Sequence, residues 1–225
     1  MKDVAVEVVV AAARGGRVEM LLLRLPGNVW VTPGAAVGAG RRLEEAAAAA
    51  LAEQAGVRGV ALEQLYSFDT AAADGVRVAY LALTDAGRHA LAPGAEVVEV
   101  RWFPADDLPP LGDEVAETLA YGRARLRAKA VYAPIALRLL PEAFTLGELQ
   151  AAYEALLERR LDTRNFRRDV LAADIVEPVG RVRAEGPGRP ARLYRAAAGE
   201  FQVLARERRI ARAARGTPTS GGAPS

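Results

Sequence analysis

The stretch from Gly34 to Val57 reads GAAVGAGRRLEEAAAAALAEQAGV: a glycine-rich loop feeding a helix filled with alanine. Backbone N–H groups at such a helix N-terminus favour a phosphate, and Arg41 adds a positive charge beside them. A divalent cation held against that phosphate would need several oxygen ligands. The segment's acids are Glu44, Glu45 and Glu53, and the first two stand more than two turns before the third and face differently. The outline is that of an anion-receiving loop without a metal cage, so no metal ligands and no catalytic residues are expected here.

A second set of chemically capable residues lies in DTRNFRRDVLAAD (162–174). Arg164, Asn165, Arg167 and Arg168 crowd its first half beside Thr163. A guanidinium fork suits guanine edges and phosphates, and an asparagine amide suits adenine. Phe166, Val170 and Leu171 recur at spacings of four and five and are expected to face inward, leaving the arginines outward. Arg189 sits in GPGRP (186–190), between rigid turn residues, where it is expected to touch a phosphate or enter the minor groove. The plainer reading is a solvated arginine face on a small helical domain.

Both sets need a scaffold. Residues 5–12 and 18–25 are β-branched or leucine-rich runs separated by RGGR, a hairpin-type turn. The alanine-rich helix spans 43–55. Strands are expected at 60–68 and 76–83, flanking AAADG, and at 97–103. Residues 113–130 carry Val115, Leu119 and Leu126 without a proline and are expected to be helical. This predicts an α+β fold: a mixed sheet with two helices packed on it, over residues 1–130.

Beyond 130 the pattern changes. A short apolar helix at 134–140 is stopped by Pro141. TLGELQAAYEALLERRL (145–161) opens with a capping box, Thr145 to Glu148, and carries an apolar stripe of Leu146, Leu149, Tyr153 and Leu156. Asp162 or Thr163 caps the next helix. Residues 175–184 and 191–197 read as a hairpin with a Gly/Pro tip. Three helices followed by a hairpin is the winged helix-turn-helix order, whose third helix enters the major groove of double-stranded DNA. This domain is expected over 131–199, with 200–225 forming a C-terminal helix and a disordered tail.

Composition narrows the classes. The chain has 225 residues, 51% hydrophobic and 26% charged, as in soluble globular proteins. No run of 18 apolar residues exists, so a membrane span is not expected. The start, MKDVAVEVVVAAARGG, contains Asp3 and Glu7 and reads as a first strand rather than a signal peptide. With no cysteine there is no disulfide framework, which fits a cytoplasmic protein. Residues 1–130 carry 14 basic and 17 acidic side chains; residues 131–225 carry 16, all arginine, against 11. A basic half beside an acidic half suggests two domains with different partners. His89 is expected to be solvated in a polar loop. Tyr66 and Phe68 fit either a core or a platform for adenine. Arg123, Arg125 and Arg127 read as a wet helix face.

Residues 5–130 resemble a Nudix domain, whose motif is G-x(5)-E-x(7)-R-E-U-x-E-E-x-G-U with U aliphatic. Trp30-Val31-Thr32-Pro33-Gly34 looks like the tryptophan and Leu-Pro-Gly that lead into it. Aligned without a gap, the motif's first glycine falls on Ala35 and its first glutamate on Arg41. The Arg-Glu pair falls on Ala49 and Ala50, the Glu-Glu pair on Glu53 and Gln54, and Gly56-Val57 keep the end. The resemblance implies that positions 50, 53 and 54 would share one helix face and hold the cations. Only Glu53 remains an acid. Losing metal stabilisation costs several kcal/mol of barrier, roughly 10³-fold or more in rate, so a non-hydrolytic domain is expected.

The chain to about residue 197 resembles the NrtR family, the Nudix-related transcriptional regulators of NAD metabolism. Residues 126–171 and GRPARLYR (188–195) carry that likeness most specifically. The resemblance implies a homodimeric repressor of NAD metabolism genes that binds a palindromic operator and senses ADP-ribose or a related nucleotide-sugar metabolite, with no other cofactor. Arg24, Trp30, Arg41, Glu53, Phe68 and Arg77 are the effector contacts it suggests. Two alternatives stay open: a Nudix hydrolase acting on ADP-ribose, and a regulator of sugar catabolism responding to another phosphosugar.

Overall fold

The structure, a computed structural model, describes residues 3–70, 75–184 and 190–197. Strand β1 (Asp3–Arg14) is buried almost continuously from Val6 to Ala12, as a strand covered on both faces must be. The RGGR turn, with Gly15 and Gly16 at φ 58° and 74°, returns the chain to β2 (Arg17–Leu25); positive φ at both centres is what a two-residue hairpin of this hand requires. Short strands β3 (Val29–Val31) and β4 (Gly34–Ala36) follow, then helix α1 (Leu43–Ala55), β5 (Leu62–Asp69), β6 (Gly75–Leu83), β7 (Glu99–Pro104) and helix α2 (Asp113–Ala130). The sheet order is β3-β2-β1-β6-β5, with β4 on β1 and β7 on β2. β1 and β6 run parallel, and the other pairs are antiparallel.

Val6, Val8, Val10 and Ala12 of β1 pack toward α1, through Ala46, Ala47, Leu51 and Ala55. The alanines leave little bulk on that side of the helix, which allows close packing on the sheet. Val9 and Ala11 face the other way, toward Leu119 and Leu126 of α2. There α2 presses so close that a Cβ added at Gly122 would stand 2.9 Å from the Val9 side chain.

The second half contains a 3₁₀ turn (Ile135–Leu139), β8 (Phe144–Thr145), α3 (Leu146–Leu157), α4 (Thr163–Ala172), β9 (Val176–Arg183) and β10 (Ala191–Ala196). The strands form a sheet in the order β8-β10-β9. Thr145 caps α3 in the expected capping box, accepting from Glu148 N–H at 3.1 Å, while Glu148 accepts from Thr145 N–H at 2.7 Å. The helix ends at Leu157, four residues short of the sequence expectation, because Glu158 turns into the left-handed region at φ 54°. The apolar run at 134–140 tightens to a 3₁₀ turn. The buried cluster does not stop at residue 130: Leu126 and Ala130 of α2 share it with Leu137, Tyr153 and Phe166. No described helix is long and apolar enough to cross a membrane. The expected C-terminal helix and tail lie outside the described residues.

Candidate nucleic-acid interface and effector site

Helix α4 is built to show its basic side. Asp162, rather than Thr163, is the N-cap; its carboxylate accepts from Asn165 N–H at 2.7 Å. Thr163 Oγ1 accepts instead from Gln150 Nε2 at 3.1 Å, tying the two helices together. Phe166 and Val170 are 2% and 3% exposed, and Phe166 meets Tyr153 edge-on at 5.6 Å. Leu171, expected to face inward, is 44% exposed. One residue advances a helix by about 100°, so the position after a buried Val170 turns away from the core.

The arginines divide into two kinds. Arg164 and Arg167 are exposed and pair with no group among the described residues. Arg168 is exposed but lays its fork on Asp169 Oδ1, at 2.9 and 2.8 Å. Asn165 is half-buried. Arg189 lies outside the described residues. The hairpin strands carry two more exposed cations, Arg181 on β9 and Arg192 on β10. Both stand on the strands that flank the hairpin tip rather than in the tip itself.

The loop and helix of the first half hold a different geometry. Ala50 is buried and Glu53 is exposed. Gln54 reaches across to Gly34: its Oε1 accepts from Gly34 N–H at 3.0 Å, and its Nε2 donates to the Gly34 carbonyl at 2.9 Å. Gly34 pairs with Glu7 of β1, where an added Cβ would stand 2.6 Å from the Val6 carbonyl oxygen. Arg41 is exposed on the loop. Among the described residues, no group of three or more His, Cys, Asp or Glu is placed to hold a metal ion.

The remaining expected contacts lie on the α2 side of the sheet. Arg77 donates from Nη1 to Glu7 Oε1 at 2.9 Å, and its Nε stands 3.5 Å from Glu114 Oε2. Thr32 and Thr118 also donate to the Glu7 carboxylate, at 3.0 and 2.9 Å. The Arg77 guanidinium lies over the Phe68 ring at 5.4 Å. Phe68 meets Tyr66 at 5.0 Å and Tyr121 of α2 at 6.0 Å, and the two tyrosines, 48% and 40% exposed, stack obliquely at 4.6 Å. Arg24 forks onto Glu99 at 2.9 Å and lies 5.9 Å from the Trp30 ring. Trp30 is buried edge-on against Phe103.

The six expected contacts therefore fall into three groups: Arg41 and Glu53 at the loop and α1, Arg77 with Phe68, and Arg24 with Trp30. Glu7 and Tyr121 were not anticipated. A lone acid inside the run AVEVVVAA was a signal for Glu7; nothing in the sequence marked Tyr121, because only the fold brings α2 over β5. His89, expected to be solvated, bonds Thr84 Oγ1 at 2.8 Å.

A sheet-and-helix fold of the Nudix type, joined to a winged helix-turn-helix with an open arginine face, defines the class. Residues 1–122 match the NUDIX domain, and residues 136–196 match the NrtR DNA-binding winged helix domain. The chain belongs to the NrtR family. It is similar to Shewanella oneidensis NrtR complexed with a 27mer DNA, with TM-score 0.76 and 30% identity over 86% of this chain and 93% of that one. Over 78 residues it is 38% identical to the ADPR responsive transcriptional repressor NtrR of Acinetobacter baylyi. That match covers 35% of this chain and spans about a third, 31%, of the relative's length. The Nudix domain of Shewanella oneidensis NrtR complexed with ADP ribose matches at TM-score 0.51 and 24% identity, over 56% of this chain and 89% of that one, a likeness of fold alone.

Proposed function

We propose that this chain is a DNA-binding transcriptional repressor of NAD metabolism genes, governed by ADP-ribose or a related nucleotide-sugar metabolite. The observation that carries the reading is the exposed pair Arg164 and Arg167 on α4 of a winged helix, neither bonded to another group among the described residues. A guanidinium with no intramolecular partner is available to phosphates and guanine edges without first breaking an ion pair. The Acinetobacter relative, described as an ADPR responsive repressor, supports both the regulatory role and the effector class.

The first domain senses rather than hydrolyses. Ala50 and Gln54 stand where the motif carries acids, and the Gln54 side chain is occupied by Gly34. The functional unit is a cytoplasmic homodimer on a palindromic operator, with half-sites about one helical turn or a multiple apart. Arg24, Trp30, Arg41, Glu53, Phe68 and Arg77 are the proposed effector contacts. Of these, Arg41 and Glu53 are exposed and ready for a ligand, whereas Trp30 and Phe68 are buried and need movement first.

The test uses fluorescence anisotropy with DNA from upstream of the chain's own gene and of NAD metabolism genes. Retention of one such fragment over unrelated DNA, changed by ADP-ribose, is expected. Robust conversion of ADP-ribose to AMP and ribose 5-phosphate with Mg²⁺ or Mn²⁺ would instead make the chain a hydrolase.

A further inference from the structure

Helix α2 touches both halves of the molecule. Near its middle, Thr118 donates to Glu7, and Tyr121 stacks on Tyr66 beside Phe68. One turn further on, Arg123 donates from Nε and Nη2 to Glu158 Oε1, at 2.9 and 2.5 Å, and Arg127 donates to Glu158 Oε2 at 3.1 Å. From Thr118 to Arg123 the helix rises only about 7.5 Å. Arg123 is also fixed from the other side, donating to the Ala105 carbonyl at 3.2 Å.

Glu158 occupies a telling position. It is the C-cap of α3, four residues before the α4 N-cap Asp162. Its backbone is left-handed, where glycine sits without steric cost and a glutamate does not. What glutamate adds there is a carboxylate that receives three N–H bonds from α2. The turn that follows is held as one piece with α3: Glu154 accepts from Leu161 N–H at 2.9 Å, and Gln150 donates to the Leu161 carbonyl at 3.1 Å. A shift at Glu158 is thus carried to α4 through a stiff turn. A cavity of about 240 Å³ beside the pair, lined by Gly16, Arg17, Ala105, Asp106, Arg123 and Glu158 among others, leaves room for such a shift.

We infer that Glu158 is a positioning residue for operator binding, the point at which α2 sets the angle of the α3–α4 unit according to what occupies the Glu7–Arg77–Phe68 region. This rests on the proposed repressor function and its effector. A half-exposed ion pair contributes little to stability, which suits a contact that must shift between two arrangements of similar energy.

The experiment measures operator affinity by anisotropy, without and with saturating ADP-ribose, for the wild-type chain, E158Q and E158G. Calorimetry of the wild-type chain with ADP-ribose and thermal melts of all three accompany it. The ratio of the two affinities is expected to differ from 1 in the wild type and to move at least threefold toward 1 in both variants. E158G is expected to melt no lower than the wild type, since glycine suits the left-handed position. Wild-type ratios in both variants overturn the inference, and so does an E158G that melts well below the wild type, which makes Glu158 a stability residue. A wild type that binds ADP-ribose but keeps a ratio of 1 overturns the coupling. A wild type that binds neither ADP-ribose nor operator overturns the functional reading itself, and the coupling with it.

Discussion

The side-chain amide of Gln54 is joined to the backbone of Gly34 by two hydrogen bonds, one accepted and one donated. An amide can do both, whereas a carboxylate can only accept. Where the Nudix motif carries an acid, this chain has a staple that closes the loop onto α1. Gln54→Glu would face the Gly34 carbonyl with a second acceptor and leave that carbonyl unpaired. It is expected to cost about 1–3 kcal/mol, read as a lower denaturation midpoint with an unchanged m-value. It is also expected to leave ADP-ribose hydrolysis in Mg²⁺ undetectable, because Ala50 and Arg41 remain.

The arginines of α4 are expected to separate by partner. Arg164→Ala and Arg167→Ala each weaken operator binding: about 1–3 kcal/mol and relaxed specificity if the side chain reads a base edge, or a salt slope reduced by about one if it meets a phosphate. Arg168→Ala weakens binding less, because Asp169 already holds part of its charge. Melting temperatures of all three stay near wild type, since none of these side chains is buried. Equal losses across the three in anisotropy titrations would contradict this ranking.

The same helix separates legible from illegible. Phe166 and Leu171 are both apolar and lie near each other in sequence, and their spacing was compatible with one inward face. Phe166→Ala is expected to cost about 3–5 kcal/mol and Leu171→Ala well under 1, by chemical denaturation. Periodicity located α2 and α3, and alanine content located α1, because each carries several turns of signal. It could not locate β3, β4 or β8, which are two or three residues long and owe their conformation to a neighbouring strand. Motif spacing found the gaps in the acid set, but not what fills them: the bond from Gln54 to Gly34 spans 20 residues, and that from Thr118 to Glu7 spans 111. Such pairings are set by tertiary packing, and a linear pattern does not encode them.

His89 supplies a pH dependence. Burial and the neighbouring Arg88 hold its pKa below the ordinary histidine value, with Asp85 opposing them. The folded state therefore resists protonation more than the unfolded chain does. Its contribution is fully present above about pH 6.5 and is lost as pH falls through the lower folded-state value. As this is the chain's one histidine, the melting-temperature difference between wild type and His89→Gln is expected to shift against the wild type between pH 7.5 and 5. A difference that stays constant across that range would contradict the assignment.

Arg77 and Glu7 test whether an expected ligand contact is first a structural one. Both side chains are nearly buried, and Glu7 takes bonds from Arg77, Thr32 and Thr118. Arg77→Ala strips the cation from a buried carboxylate, whose two hydroxyl donors cannot neutralise it. The expected loss is about 3 kcal/mol in denaturant titrations. Replacing both partners, as Glu7→Gln with Arg77→Met, removes the stranded charge and is expected to recover more than half of that loss. The double variant then isolates the ligand question. If ADP-ribose binding by calorimetry falls at least tenfold in a double variant that still melts cooperatively, Arg77 meets the effector. If affinity is retained, the pair serves only to fasten α2, through Thr118, to the sheet.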